Sequence, residues 1–393
     1  MIRSNISRMI KKMGKGNTAP EMSDGDEKAI DTKIARASQW QLIRWKFFQH
    51  KLAVVALFVL IIFYLAILFA EFLSPYDPHQ DHAMYQYVPP QPIHFIDEQG
   101  NFHLRPFVYK LSSQIDEVTL ASIYTEDRTE IHPLYLFVHG DPYRLWGLIE
   151  SDIHLFGTKT GVYFFPLGTD QLGRDLLSLI IFGGRISLSI GLLGIVITFV
   201  LGILIGGISG YYGGILDILI QRITEFLKSI PTLPLWMALS TALPSNWTII
   251  QVYFGIVIIL SLLGWTDLAR VVRGKFMSLK SEDFIMAAKL DGCSDLKIIF
   301  RYLLPSFMSY VIASLTLWIP DMIIGETSLS FIGLGLQSPA ISWGVLLNDA
   351  QKIHVLSKAP WLLIPGAFVI AAILSFNFVG DALRDAADPY TKV

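Results

Sequence analysis

The chain has 393 residues, 52% of them hydrophobic and only 16% charged, with a mean hydropathy of +0.49; this excludes an ordinary soluble enzyme and points to a polytopic membrane protein. The formal net charge of -2 is uninformative as a total, but its distribution along the chain orders the loops. A single cysteine, Cys293, excludes an internal disulfide and a cysteine metal framework, and the nine histidines show no HExxH spacing, so neither a zinc site nor any other cofactor is expected in this chain.

Residues 1–33 are polar, with Lys11, Lys12 and Lys15 ahead of an acidic patch, and lack apolar periodicity. They read as a flexible tail, and not as a secretory signal, because no apolar core follows the basic start. Trp40, Ile43 and Phe47 then recur at helical spacing among Arg44, Lys46 and Lys51, a composition that suits either an interfacial helix or the positive flank of a span. Residues 1–51 are thus a cytoplasmic tail with its interfacial helix. Residues 52–73 follow as the first transmembrane helix, about 22 residues for a hydrocarbon core of about 30 Å.

Residues 74–175 change character. Pro75, Pro78, Pro89, Pro90 and Pro92 precede short aromatic-rich runs, and strands are expected over 102–109, 134–138, 144–149 and 162–165, with turns at 97–101 and 139–142. Acidic residues outnumber basic ones here by more than two to one, whereas the tail before the first span is rich in Lys and Arg. The positive-inside rule therefore predicts a cytoplasmic tail and a small β-rich extracytoplasmic insertion. The spacing of Gly168 and Gly173 is not a phosphate loop, because Arg174 and Asp175 stand where Lys and Ser or Thr would be needed.

Residues 176–393 are expected to hold five further spans. Charge is absent from 186 to 216, and Gly202, Gly206 and Gly210 form a small-residue stripe suited to close helix packing or to a lining. Residues 229–243 are short for a crossing and need the turns bearing Arg222, Glu225 and Lys228, which either snorkel or face a cavity. A fourth span over 248–266 exits into Asp267, Arg270, Arg273, Lys275 and Lys280, a cytoplasmic signature. The fifth, from about Ser309, contains Pro320, Asp321, Gly325 and Glu326, so either a broken helix exposes these acids to a translocation path or the chain has reached the outer interface. A last span over 360–379 brings the C-terminus back inside, making six crossings of an all-α membrane protein.

Residues 281–305 are the distinctive polar connection. Ser281 can cap a helix that Gly292 stops, and a second helix can start at Ser294, with Leu296, Ile299, Phe300, Leu303 and Leu304 on one face. On the first helix Phe284, Ala287 and Ala288 share a face, which reads as a docking surface.

This segment resembles the cytoplasmic coupling loop of ABC-importer permeases, whose pattern runs Glu-Ala-Ala, three residues, Gly, nine residues, Ile, one residue, Leu-Pro. Ala287, Ala288, Gly292, Leu304 and Pro305 match, while Met286 replaces the glutamate and Tyr302 the isoleucine. Residues 165–175 and 329–344 resemble the dipeptide and oligopeptide branch of the same family. The resemblance implies an inner-membrane subunit with both termini cytoplasmic, in which Met286, Ala287, Ala288, Asp291, Gly292, Leu304 and Pro305 meet an ATPase and Asp321 and Glu326 are path candidates. It also implies partners: a second related permease subunit, two ATP-binding-cassette ATPase subunits, an extracytoplasmic solute-binding protein and membrane lipid, with no nucleic acid. Peptides are the expected solute and nickel or another small solute the alternative. A secondary transporter would need an inverted repeat, and none is evident; a membrane-anchored sensor would place function in the outer insertion.

Overall fold

A computed structural model describes residues 39–115, 122–159 and 161–387, so the tail over 1–33 lies outside the described residues. The first helix, α1 (Gln39–Phe47), buries Ile43 and Phe47 against the last helix of the chain and leaves Trp45 and Phe48 exposed. Helix α2 (Lys51–Leu68) buries Ala53, Ala56 and Leu60 on one stripe and exposes Leu52, Val55, Phe58 and Leu65 on the other. A single turn, α3 (Ala70–Leu73), follows; from it Glu71 receives a two-pronged ion pair from Arg185, whose Nε also donates to the carbonyl of Ile67 at 2.9 Å.

Between the first two long apolar helices lies a four-stranded antiparallel sheet in the order β1 (His94–Ile96), β2 (Phe102–Ile115), β3 (Ser122–Leu145), β4 (Ile149–Thr158). Strand β3 is shared: its first half pairs with β2 and its second half with β4. The expected turn at 97–101 is present, built on Asp97, whose carboxylate accepts from His103 and from the backbone N–H of Asn101 and Gln99. Those bonds, led by that of His103, hold the Asp97 carboxyl down at about 2.

Three expectations for this region differ from what is observed. Residues 139–142 are an irregularity within β3, where His139 pairs with Ile153 and Tyr143 with Ser151, so the extra residues bulge instead of reversing the chain. Residues 144–149 contain the hairpin turn itself. Residues 162–165 form no strand, because their donors are taken by side chains: Phe164 N–H donates to Tyr76 Oη and Phe165 N–H to Gln91 Oε1, both at 2.7 Å.

Helix α4 (Leu176–Tyr212) is capped by Asp175, which accepts from both the N–H and the hydroxyl of Ser178. It runs 37 residues. Gly213, at φ +67, ends it and opens α5 (Gly214–Ser229). The expected single third span is two helices, because Pro231 interrupts the chain before α6 (Thr232–Thr241). Helix α7 (Ile249–Leu279) starts in a capping box between Thr248 and Gln251 and carries Arg270, Arg273 and Lys275 in its last turns.

Helix α8 (Asp283–Leu290) precedes a long composite segment: α9 (Asp295–Ile298), a π-helical stretch Ile299–Leu303, α10 (Leu304–Thr316) and α11 (Ile319–Ile332). The break before Pro320 corresponds to one of the two readings the sequence leaves open, that of a broken helix. After α11 the chain folds back into the bundle as α12 (Trp343–Ala350), with Trp343 Nε1 donating to the carbonyl of Ile180 at 2.9 Å. A short α13 (Ile353–Lys358) leads to the final α14 (Ile364–Ala387). Among the described residues five helical segments are long and apolar enough to cross a membrane: Lys51–Leu68, Leu176–Tyr212, Ile249–Leu279, Asp295–Ile332 and Pro360–Ala387.

Candidate functional site

Helix α8 begins one residue later than the sequence suggests. Glu282 occupies the N-cap position, while the Ser281 hydroxyl donates back to the carbonyl of Ser278 at 3.3 Å. The stop is at Gly292 as expected. Its φ of +72 closes a Schellman turn in which Gly292 N–H donates to the carbonyl of Lys289 and Cys293 N–H to that of Ala288.

The two alanines of the pattern face opposite ways. Ala288 is 4% exposed and, with Ile285, packs toward Phe276, Ile298 and Leu303, whereas Ala287 is exposed together with Phe284 and Met286. Leu290 is 89% exposed, and across the Gly292 turn Leu296 and Phe300 add to the same apolar exterior. An α-helical period would have put Leu296, Phe300 and Leu303 on one face. The π-helical stretch, in which Leu304 N–H donates to the carbonyl of Ile299, slips that phase so that Ile298 and Leu303 point inward and Leu296 and Phe300 outward. It also delivers Pro305 into the first turn of α10, where no N–H is required. The second helix of the loop is therefore the start of the next span.

One residue of α4 holds both ends of this connection. The Tyr211 hydroxyl donates to Asp295 Oδ1 at 2.6 Å, and Lys280 Nζ donates to the Tyr211 carbonyl at 2.6 Å. Lys280 and Lys289 also lie over the Tyr211 ring, 5.4 and 5.9 Å from its centroid. Beside it Arg273 forms a two-pronged ion pair with Asp217 at 2.6 and 2.7 Å, and the Ser209 hydroxyl donates to the same carboxylate. Sequence reasoning missed Tyr211, Asp217 and Asp295. Only the charge of Asp217, placed directly after an apolar run, was available as a signal.

The glycine stripe is a packing surface. A Cβ on Gly206 would fall 2.4 Å from the carbonyl oxygen of Ala269, one on Gly210 would fall 2.7 Å from that of Arg273, and Gly202 abuts Leu268. Helices α4 and α7 thus touch backbone to backbone just where the loop is anchored.

The two intramembrane acids part company. Asp321 is exposed and lines a cavity of about 520 Å³ with Trp236, Trp318, Lys228 and Asp267, the last two forming an ion pair. Glu326 is fully buried away from that cavity. Its Oε1 accepts from Ser342 at 2.7 Å and Ser330 at 3.0 Å, its Oε2 from Ser187 at 3.2 Å and Thr327 at 3.5 Å. Of the polar trio on α5, Lys228 faces the cavity, while Arg222 and Glu225 are exposed and pair with each other.

The family described as "Binding-protein-dependent transport system inner membrane component" matches residues 202–393, and that described as "N-terminal TM domain of oligopeptide transport permease C" matches residues 38–90. The sheet falls between these two matches. The chain is 42% identical over 234 residues to the oligopeptide transport system permease protein OppC of Haemophilus influenzae, covering 59% of this chain and 72% of that protein. It is 41% identical to OppC of Escherichia coli K12, covering 62% and 76%. It is 39% identical to the dipeptide transport system permease protein DppC of Bacillus subtilis, covering 56% and 68%.

Proposed function

This chain belongs to the binding-protein-dependent transport system inner membrane components, and from that premise we propose that it serves an ATP-binding-cassette importer of di- or oligopeptides. It is a multi-pass inner-membrane permease, and the peptide substrate follows from the names its relatives carry. The chain supplies pathway surface and coupling but no covalent chemistry; ATP hydrolysis belongs to two partner ATPases. A second permease subunit completes the pathway, and an extracytoplasmic binding protein delivers the solute.

The observation that carries this reading is the exposed apolar surface of Phe284, Met286, Ala287, Leu290 and Leu296, tied to the end of α4 through Tyr211. An exposed apolar patch on an otherwise polar connection calls for a protein partner. Movement of that partner would be passed through Tyr211 to α4 and through the π-helical stretch to α10, tilting the bundle between outward- and inward-open states. In this topology α5 and α6 together make the third of six crossings, the basic end of α7 and both termini are cytoplasmic, and the sheet lies outside. Asp321 faces the pathway, and Glu326 serves to hold the fold.

Leu290→Asp tests the coupling role, because Leu290 is so exposed that the fold should tolerate the change. The variant is expected to insert normally yet to lose the co-purifying ATPase and peptide uptake. Normal uptake by Leu290→Asp, or uptake that persists without ATP while a proton gradient is kept, would overturn the reading.

A further inference from the structure

The β3–β4 hairpin closes on Trp146 and Gly147, both in the left-handed region at φ 55 and 72, with Gly147 N–H donating to the carbonyl of Arg144 and Leu148 N–H to that of Leu145. The loop between the closing pair Leu145 and Ile149 is three residues long, and a tryptophan at its first position, where φ is positive, is out of keeping with local preference, which favours Gly, Asn or Asp there. Something outside the turn must favour it. The indole Nε1 donates to the carbonyl of Leu68 at 2.7 Å, and the ring lies 5.7 Å from that of Phe69.

Leu68 is the last residue of α2, where a helix leaves carbonyls without intrahelical partners. At 1.5 Å per residue the 18 residues of α2 span about 27 Å, close to the thickness of a hydrocarbon core. Its far end therefore marks the membrane boundary, the depth at which tryptophan is enriched. The tip also presents Leu148, 83% exposed, and Ile149, 53% exposed, and on α2, which Trp146 reaches at Leu68, Leu65 and Leu68 are likewise exposed. Directly behind the turn, the exposed ion pair of Arg144 and Glu150 gives the strands a polar collar.

We propose that this hairpin tip is seated in the lipid interface, with Trp146, Leu148 and Ile149 entering the bilayer beside the end of α2 and holding the sheet down on the membrane. The occupant is lipid because the tip continues a surface that already faces lipid, and because a polar collar follows the apolar tip at headgroup depth. The proposal rests on α2 being a membrane span.

The full chain carrying Cys293→Ser, reconstituted in nanodiscs of phosphatidylethanolamine and phosphatidylglycerol, accepts a nitroxide at Leu148→Cys or, in a second variant, Ile149→Cys. Phe58→Cys in the middle of α2 is the lipid reference, and Glu98→Cys in the distant turn is the aqueous one. Labels at 148 and 149 are expected to collide with oxygen in preference to a water-soluble nickel chelate, at a ratio clearly above that of Glu98→Cys and below that of Phe58→Cys, as interfacial depth requires. A ratio equal to that of Glu98→Cys, or an immobilised label shielded from both reagents by protein, would overturn the proposal. An aqueous ratio at Phe58→Cys would remove the span itself and the proposal with it.

Discussion

Ser342 donates its hydroxyl to Glu326 at 2.7 Å and with the same oxygen accepts from the N–H of Val345 at 3.2 Å. One side chain thereby caps α12 and fastens it to α11, and Ser187, which donates to Glu326, accepts from Trp343 N–H and brings in α4. A carboxylate in the apolar bundle is here a knot between three helices.

Replacing Glu326 tests that knot. Glu326→Leu removes the acceptor for four hydroxyls, each costing about 1–3 kcal/mol when buried and unpaired. We expect severe destabilisation or failure to accumulate, whereas Glu326→Gln, which keeps one acceptor oxygen and adds a donor, should lose less. Thermal unfolding in detergent is the readout, and equal midpoints for all three proteins would show that the cage contributes nothing.

The helix contact between α4 and α7 predicts opposite outcomes for two glycines. Gly206→Val would press against the Ala269 carbonyl and should destabilise by about 1–3 kcal/mol or more. Gly274→Ala meets nothing within 4 Å and lies inside a helix, so it should be neutral or gain up to about 1 kcal/mol. The same unfolding assay separates them, and a neutral Gly206→Val would mean that the two helices can part without cost.

Removing only the hydroxyl of Tyr211 probes coupling. In Tyr211→Phe the bond to Asp295 is lost while the backbone contact with Lys280 remains. A hydrogen bond to a charged group is worth about 1.5–3 kcal/mol, which corresponds to about tenfold or more in a conformational equilibrium. Uptake per ATP hydrolysed is expected to fall on that scale in proteoliposomes, with insertion unchanged. An unaltered ratio would show that the motion takes another route.

Features written in local pattern were legible beforehand, and those that depend on distant partners were not. The period-four glycines announced close packing, Pro320 announced the break before α11, and Gly292 announced the stop of α8. The face after the Gly292 turn was misassigned because an α-helical period does not anticipate a π-helical stretch. Nothing near Tyr211 in the chain indicates that its partner is Asp295, and nothing near Glu326 indicates that Ser187 would reach it. The hairpin at Trp146 was read as strand for a related reason: its aromatic and aliphatic residues carry strand preference, and the turn is set by a contact with Leu68.

Lys280 and Asp295 meet on the same residue, so the chain between them is a closed ring with Tyr211 as its clasp. Force applied anywhere on the ring arrives at one address, in the last turn of a 37-residue helix, whichever end of the ring it travels from. Length added inside the ring would alter what docks on it and leave the clasp engaged, whereas a change at the clasp would silence every docking surface at once.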